Sequence, residues 1–357
     1  MFFVHCRAEP FKKNDEYSNL EEIFPDASFT KTENRNQNYL KNDIFIPMLK
    51  RETFKVAIIG LGRVGVTTAY ALLLKGLATE LVLFSRELAK AEGEKADLEH
   101  GAPFYPHATI TATDKYEDLV GTDLVIFTAG CAQKPGQTRL DLTKGNCEIL
   151  DKTIPKIVKH APQTLILMVS NPLDIMTLHA TRLAKLPPGR VFGSGTLLDT
   201  ARFRLHLSKA IKISAKSIHA YILGEHGDSS FAAVSTASIG GKPLLSFPEM
   251  SPDHIKWAQE ETRKDAYKII SGKGATYYGI GTAITHIVET IMRDGQKVVP
   301  LSSVLTGEYG LKDIALALPC ILGRNGVERL IDLPLSVEET ASLNASAAAL
   351  RSHLDEM

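Results

Sequence analysis

The segment that most constrains the fold is a glycine-rich turn between an apolar run and a helix-like run. The apolar run is Lys55–Ile59, and the helix-like run is Val66–Lys75. Between them, Gly60-Leu-Gly-Arg-Val-Gly65 has the spacing GxGxxG, which in this setting predicts a strand–turn–helix unit that binds a dinucleotide. Gly60 would allow the tight turn, Gly62 the close approach of a pyrophosphate, and Gly65 close packing of helix on strand. The N-terminus of the helix would offer its free N–H groups to the phosphates.

The end of the second predicted strand, Glu80–Phe84, lacks the usual acidic residue. A dinucleotide site normally has a carboxylate there that accepts hydrogen bonds from the adenosine ribose. This chain has Ser85-Arg86 instead. A serine does not repel a 2′-phosphate and an arginine can pair with one, so NADP use is one interpretation. In the other, Arg86 points to solvent and NAD binds as usual.

Two further strands extend the pattern. Asp123–Thr128 runs into a polar Pro-Gly loop that ends at Arg139, with the character of a lid, although the charges of the loop could simply be solvated. Leu165–Val169 ends close to Asn171, where ligands of such folds bind. The alternation of strands and helices predicts an α/β fold, a Rossmann-type doubly wound parallel sheet with right-handed crossovers.

A helix-like segment and a glycine-flanked histidine follow. Asp199 and Arg202 are three residues apart in the run 196–206 and would share a helix face. A surface ion pair is one interpretation, but the apolar surroundings favour a prepared anion site. His226 lies in Tyr221-Ile-Leu-Gly-Glu-His-Gly-Asp228, where a short apolar strand would deliver an imidazole into a polar pocket.

Composition excludes several other classes of protein. The 357 residues include 41 basic and 41 acidic ones, which argues against broad binding to nucleic acid or anionic membranes. No run approaches the ~18 apolar residues of a membrane span. The cysteines (Cys6, Cys131, Cys147 and Cys320) have no metal-binding spacing, so no metal site is expected. Free thiols in a reducing cytoplasm are expected instead.

These residues resemble one family, the L-lactate/L-malate dehydrogenases, from about Lys55 to the C-terminus, with the closest match to the bacterial L-lactate enzymes. The resemblance implies an NAD-dependent oxidoreductase of glycolysis and fermentation. His226 would exchange a proton with the substrate oxygen, Asp199 would hold the imidazole, and Arg139 would polarise the ketone. The implied substrate contacts are Gln133, Arg202, Asn171 and Thr276. The expected cofactor contacts are Gly60, Gly62, Val64, Gly65, Ser85, Arg86, Thr128, Ala129, Gly130, Val169, Asn171 and Ile280.

Substrate choice would depend on Gln133. Family members that act on oxaloacetate and malate carry an arginine at this position, which pairs with the second carboxylate. A neutral glutamine leaves that charge without a partner, and burying it is costly. Pyruvate and L-lactate are therefore expected, while a medium-sized 2-oxo acid stays open. The rival functions are a malate dehydrogenase and a cofactor-binding protein without catalysis. The second would be expected to lack one of four side chains that are all present here: His226, Asp199, Arg202 and Arg139.

Two basic residues suggest regulation. Arg204 and His219 match positions that bind fructose 1,6-bisphosphate across a subunit interface in the activated bacterial enzymes. The resemblance therefore implies an allosteric homotetramer, and the alternative is a basic surface without a ligand.

Three regions are expected along the chain. Residues 1–53 form an extension, disordered or loosely docked, and its part upstream of Met48, residues 1–47, is either native or a translation-start artefact. Residues 54–195 form the dinucleotide-binding domain, and residues 196–357 form an α+β catalytic domain. Its predicted elements include helices at 252–271 and 279–294, antiparallel strands at 298–306 and 314–322, and a last helix opened by a capping box at Ser336.

Overall fold

The computed structural model describes residues 53–131 and 139–356, with only the backbone of Arg139. The predicted extension, apart from residue 53, and Gln133 lie outside this part of the chain. The strands are β1 (Lys55–Ile59), β2 (Glu80–Phe84), β3 (Thr109–Thr113), β4 (Leu124–Phe127), β5 (Leu165–Met168), β6 (Val191–Gly193), β7 (Ile218–Leu223), β8 (Phe231–Ile239), β9 (Lys242–Pro243), β10 (Lys297–Thr306), β11 (Lys312–Gly323) and β12 (Gly326–Leu330). The α-helices are α1 (Arg63–Lys75), α2 (Leu88–His100), α3 (Arg139–His160), α4 (Leu173–Ala184), α5 (Leu197–Ile211), α6 (Pro252–Lys273), α7 (Tyr278–Met292) and α8 (Val337–Asp355).

The larger sheet contains the predicted parallel layer. Its order is β12-β11-β10-β6-β5-β4-β1-β2-β3, and the six strands from β6 to β3 are parallel. Strand order reverses between β1 and β4, because the chain adds β2 and β3 on one side of β1 and β4 to β6 on the other. The fold class predicted from the sequence is confirmed. Ligands of such sheets bind beyond the carboxyl ends of the strands at this reversal.

The strands β10, β11 and β12 continue the same sheet in antiparallel fashion. Their link to the parallel part is the pair Ser302–Gly193, between β10 and β6. The predicted antiparallel pairing of 298–306 with 314–322 is confirmed by the β10–β11 register. A residue late in the sequence, Ser302, is thereby brought next to the nucleotide-binding half.

Both faces of the large sheet are covered, which explains why its strands are continuous apolar runs. Successive residues of β1 point to opposite faces: Val56 and Ile58 join the core with α1 and α7, whereas Ala57 and Ile59 join the core with α3 and α4. A third core lies between the small β7-β8-β9 sheet and the helices α5 and α6, around Phe203.

Helix ends follow local chemistry. The helix α1 ends at Gly76, whose φ of 60° is left-handed and whose N–H bonds the last turn. The predicted capping box of α8 is present, with Ser336 accepting from the Glu339 N–H and Glu339 accepting from the Ser336 N–H. In the ranges described, no helix is long and apolar enough to cross a membrane.

Some elements differ from the sequence expectation. The strand β3 was not predicted, because Thr109-Ile-Thr-Ala-Thr113 has a single large apolar side chain. The helix α1 starts at Arg63, three residues before the predicted start, since the glycine loop passes directly into the first turn. The helix α5 continues to Ile211, beyond the predicted His206.

Candidate active site

The carboxyl ends of the parallel strands form one edge at which the predicted site residues gather. Two cavities lie along this edge, and residues of the glycine loop, 60–65, line part of each. The first has a volume of about 270 Å3 and is lined by Ile59, Gly60, Leu61, Gly62, Phe84, Ser85, Arg86, Glu87, Lys90, Tyr116, Thr128, Ala129, Gly130, Ile149 and Thr153. The second has a volume of about 360 Å3 and is lined by Val64, Val169, Asn171, Ser194, Gly195, Leu198, Asp199, Arg202, His226, Gly227, Asp228, Ser230, Thr262, Arg263, Ala266, Tyr267, Ile270, Thr276 and Ile280. We call them the glycine-loop cavity and the histidine cavity.

The three glycines of the glycine loop have different surroundings. Gly60 has a φ of +103°, and a Cβ there would lie 2.5 Å from the Ala129 nitrogen. A Cβ on Gly65 would lie 2.2 Å from the Gly60 oxygen, so this glycine permits close packing of α1. Gly62 has open space where a Cβ would stand. The backbone at Gly62 therefore faces the cavity without protein atoms against it, which suits close approach by a ligand.

Three charged side chains form the centre of the histidine cavity. His226 Nδ1 lies 2.9 Å from Asp199 Oδ2, and the other carboxylate oxygen of Asp199 accepts from Arg202 Nη1 at 2.9 Å. The side chains of Asp199 and Arg202 are only 15% and 13% exposed. This pair is therefore not the surface ion pair that the sequence left open. The bond at Nδ1 leaves Nε2 of His226 as the nitrogen that can exchange a proton with a ligand.

The local fold explains how these side chains meet. Asp199 lies in the first turn of α5, where the helix dipole favours an anion, and Arg202 follows one turn later. His226 lies three residues past the end of β7. The strand and helix are tied together because Thr200 Oγ1 accepts from the Ile222 N–H at 2.9 Å.

The electrostatics favour a charged pair. Burial raises the pKa of Asp199, but the hydrogen bond and charge of His226 and the charge of Arg202 outweigh it and hold that pKa below its ordinary value. Burial lowers the pKa of His226, but the hydrogen bond and charge of Asp199, followed by the charge of Asp174, raise it above the ordinary 6.5. The imidazole is thereby favoured in its protonated form, as a proton donor requires.

Sequence reasoning missed a second carboxylate beside the histidine. Asp174, in the first turn of α4, accepts from the His226 backbone N–H with Oδ2 and from Ser302 Oγ with Oδ1, both at 2.6 Å. Burial raises its pKa to about 6, against the lowering effect of these two hydrogen bonds. The available signal was an acidic residue three positions after Asn171, in an otherwise apolar helical run.

Other missed residues line the two cavities. One face of α6 contributes Thr262, Arg263 and Tyr267 to the histidine cavity. Arg263 donates through Nη2 to the Ser230 carbonyl, whereas its Nε is buried without a hydrogen-bond partner. In the glycine-loop cavity, Lys90 lies on the same wall as Ser85 and Arg86. Its position four residues beyond Arg86, on the following helix, was the signal.

The remaining predicted residues lie as follows. Val64, Val169, Asn171, Thr276 and Ile280 line the histidine cavity. Gly60, Gly62, Ser85, Arg86, Thr128, Ala129 and Gly130 line the glycine-loop cavity, and Gly65 is buried beneath it. Arg139 is the first residue of α3, and its side chain lies outside the described part of the chain, as does all of Gln133.

The two predicted regulatory residues lie close together, away from both cavities. Arg204 Nε donates to the Ala220 carbonyl at 2.8 Å, and its guanidinium stacks on the Tyr221 ring. His219, the residue before Ala220 on β7, is exposed. The structure thus places a guanidinium and an imidazole at one region of the β7 surface.

Comparison with known proteins identifies the fold and its family. Residues 54–193 match the NAD binding domain of lactate/malate dehydrogenases, and residues 196–357 match the alpha/beta C-terminal domain of the same enzymes. The chain belongs to the lactate/malate dehydrogenase family. This membership confirms the prediction of an NAD-dependent oxidoreductase.

Several relatives in this family are similar over nearly their whole length. The L-lactate dehydrogenase of Thermoanaerobacterium saccharolyticum is 46% identical over 304 residues, which cover 83% of this chain and 96% of that protein. The L-lactate dehydrogenase of Synechococcus sp. is 45% identical, with 84% and 98% covered. Among solved structures, the ligand-bound minor L-lactate dehydrogenase of Enterococcus mundtii has a TM-score of 0.83 at 40% identity, with 85% and 98% covered.

Proposed function

We propose that the protein is an L-lactate dehydrogenase that interconverts pyruvate and L-lactate with His226 as proton donor and acceptor. The carrying observation is the 2.9 Å contact between His226 Nδ1 and Asp199 Oδ2, in a cavity that Arg202 and Asn171 also line. The names of the relatives support lactate over malate as the substrate.

The glycine loop fits the cofactor. The open space at Gly62 and the N-terminus of α1 suit a pyrophosphate, and Val64, Thr276 and Ile280 would lie against the nicotinamide end. NAD(H), when bound, supplies or accepts the hydride at the C2 carbon of the substrate.

Residues of the histidine cavity, together with Arg139, would carry out the rest of the reaction. In pyruvate reduction, negative charge develops on the C2 oxygen, and His226 Nε2 neutralises it by giving up a proton. Asp199 stabilises the imidazolium beforehand and fixes the ring orientation. Arg202 would hold the substrate carboxylate through the guanidinium nitrogens that Asp199 does not use. Asn171 would hydrogen-bond the reacting oxygen, and Arg139 would stabilise its charge. In lactate oxidation the same groups work in reverse, with neutral His226 accepting the proton.

Substrate choice is proposed to depend on Gln133. A neutral residue there would leave the second carboxylate of oxaloacetate without a counter-charge. The test compares kcat/KM for pyruvate and oxaloacetate with NADH, in the wild type and in Gln133→Arg. We expect the wild type to prefer pyruvate and the variant to shift toward oxaloacetate, by ~2 kcal/mol or more. A wild type that prefers oxaloacetate would contradict the proposed function.

The adenosine end of the site is proposed to accept NADP(H) as well as NAD(H). Arg86 and Lys90 line the glycine-loop cavity around Ser85, at the strand end where a carboxylate is usual. Glu87, whose N–H donates to Ser85 Oγ at 3.2 Å, is the acidic residue of this wall. Ser85→Asp should lower kcat/KM with NADPH more than with NADH. A wild type that does not use NADPH would overturn this part of the proposal alone.

Regulation by fructose 1,6-bisphosphate is proposed at Arg204 and His219. Two copies of this basic region facing each other across a two-fold axis would gather charge for a bisphosphate, in a homotetramer. The ligand activates only if the arrangement that it favours also binds pyruvate better. We expect it to lower the KM for pyruvate, and Arg204→Gln to abolish that response. Activity indifferent to the sugar phosphate from about pH 5.5 to 8 would indicate an unliganded basic surface. The cytoplasmic location and the domain limits at 54–195 and 196–357 stay predictions.

A further inference from the structure

Asp174 is a buried carboxylate whose partners come from distant parts of the chain. Its side chain is on α4, the Ser302 hydroxyl comes from β10, and the His226 N–H comes from the loop after β7. Asp174 is 2% exposed. Three separate segments therefore meet at this one side chain.

Helix capping does not account for Asp174. An acidic residue in a first helical turn commonly interacts with the free N–H groups of its own helix. Here the carboxylate accepts from Ser302 Oγ and from the His226 N–H, which both lie outside α4, and Pro172 caps the helix without a side-chain bond. A carboxylate held in this way is better explained by its partners than by its helix.

The partners of Asp174 belong to two key points of the fold. Ser302 pairs with Gly193 where the antiparallel strands join the parallel ones. His226 carries the imidazole of the histidine cavity. Since two 2.6 Å hydrogen bonds bridge these points, the carboxylate fixes the His226 peptide relative to the sheet.

We propose that Asp174 is a positioning residue for the dehydrogenase reaction, which fixes the peptide of His226 and presents a second buried negative charge to its imidazole. The inference rests on the proposed role of His226. Asp199 acts on the ring through Nδ1, whereas Asp174 acts through the backbone and through space. The charged groups that face this pair are Asp199 and Arg202 on the ring side and Glu225 on the peptide side.

Asp174→Asn separates the two effects. An asparagine can accept from the His226 N–H and donate to Ser302 Oγ, so the bridge is kept while the charge is lost. Without that charge, protonated His226 is less favoured, and the fall of pyruvate reduction with rising pH begins at a lower pH. On the alkaline side, kcat/KM should drop about tenfold for each unit by which the pKa of His226 falls. The KM for NADH should not change.

Ser302→Ala is the complementary variant. It keeps the carboxylate and removes one of the two hydrogen bonds that lower its pKa, so the comparison is made at alkaline pH, where Asp174 stays ionised. There kcat should fall a few-fold, and the alkaline limb of the pH profile should stay where it is in the wild type. Glu339→Gln is the matched control, because Glu339 is also a buried carboxylate that accepts backbone N–H groups, those of Val234 and Ser235. It should lower thermal stability and leave the pH profile of kcat/KM unmoved.

The outcomes distinguish this inference from the proposed function. If His226→Gln destroys pyruvate reduction while Asp174→Asn lowers activity equally at every pH, Asp174 is merely structural and the electrostatic part is overturned. If Ser302→Ala has the kcat of the wild type, the positioning part is overturned. If His226→Gln itself stays active, the proposed function fails first. An alkaline limb displaced in Asp174→Asn and unmoved in Glu339→Gln supports the inference.

Discussion

The two sides of His226 are built on opposite electrostatic principles. On the ring side, Asp199 is paired with both the imidazole and Arg202, and its pKa is lowered. On the peptide side, Asp174 has neutral hydrogen-bond donors, and burial raises its pKa to about 6. Of the two anions, one is stabilised by its neighbours and the other is held in place at a cost. A costly charge beside a proton donor is expected where function outweighs stability.

The largest expected effect is on the ring side. Asp199→Asn should lower kcat/KM for pyruvate by about 10²-fold or more, because the imidazolium loses its partner and the ring its orientation. Asp174→Asn should cost less near neutral pH. Steady-state rates at pH 7 with NADH affinity as the control make the comparison, and equal losses in both variants would erase the distinction between the two sides.

The stability of the same two variants should depend on pH in opposite directions. The folded-state pKa of Asp174 is raised from 3.8 to about 6, so its ionisation destabilises the wild type as pH rises through that interval. Asp174→Asn should therefore gain up to about 3 kcal/mol in unfolding free energy relative to the wild type between about pH 4 and 7.

The pKa of Asp199 is lowered, so its charge stabilises the fold above the unfolded-state pKa, and this contribution is lost as pH falls through the folded-state pKa. The unfolding free energy of Asp199→Asn should therefore fall relative to that of the wild type as pH rises. Urea unfolding at several pH values measures the unfolding free energy of each variant relative to the wild type. If this difference changes with pH in the same direction in both variants, the contrast is wrong.

Arg202 gives a further test of the difference between the two sides of His226, because it contributes only to the ring side. Arg202→Lys keeps the charge but loses the planar fork, and should raise the KM for pyruvate by about 10-fold to 10²-fold. The peptide-side variant Ser302→Ala should leave this KM unchanged. A KM that rises equally in both variants would mean that substrate anchoring is not confined to the ring side.

The ring side was predictable from the sequence and the peptide side was not. Asp199 and Arg202 are one helical turn apart, and His226 has glycines on both sides, so local spacing marks them as candidates. The pairing of Asp199 with His226 was implied by the family resemblance. Asp174 and Ser302 are 128 residues apart and meet only because β10 pairs with β6. No local pattern encodes that junction.

The fold shows the same division. The glycine loop and the buried strands β1, β2, β4 and β5 follow from composition and turn chemistry. The strand β3 is half polar, and it was missed because its strand character depends on pairing with β2. Lys90 was missed although it follows Arg86 by four residues, because the helix α2 that brings it to the cavity was not predicted.

The most direct test of the central claim is an NMR titration of the His226 imidazole in the wild-type protein, with the signal assigned by its loss in His226→Gln. We expect a pKa above the ordinary 6.5, because the carboxylates on both sides favour the protonated ring against the effect of burial. Asp199→Asn and Asp174→Asn should each lower this pKa, the first by more. A wild-type pKa at or below the ordinary value would contradict the claim that His226 is held ready as a proton donor.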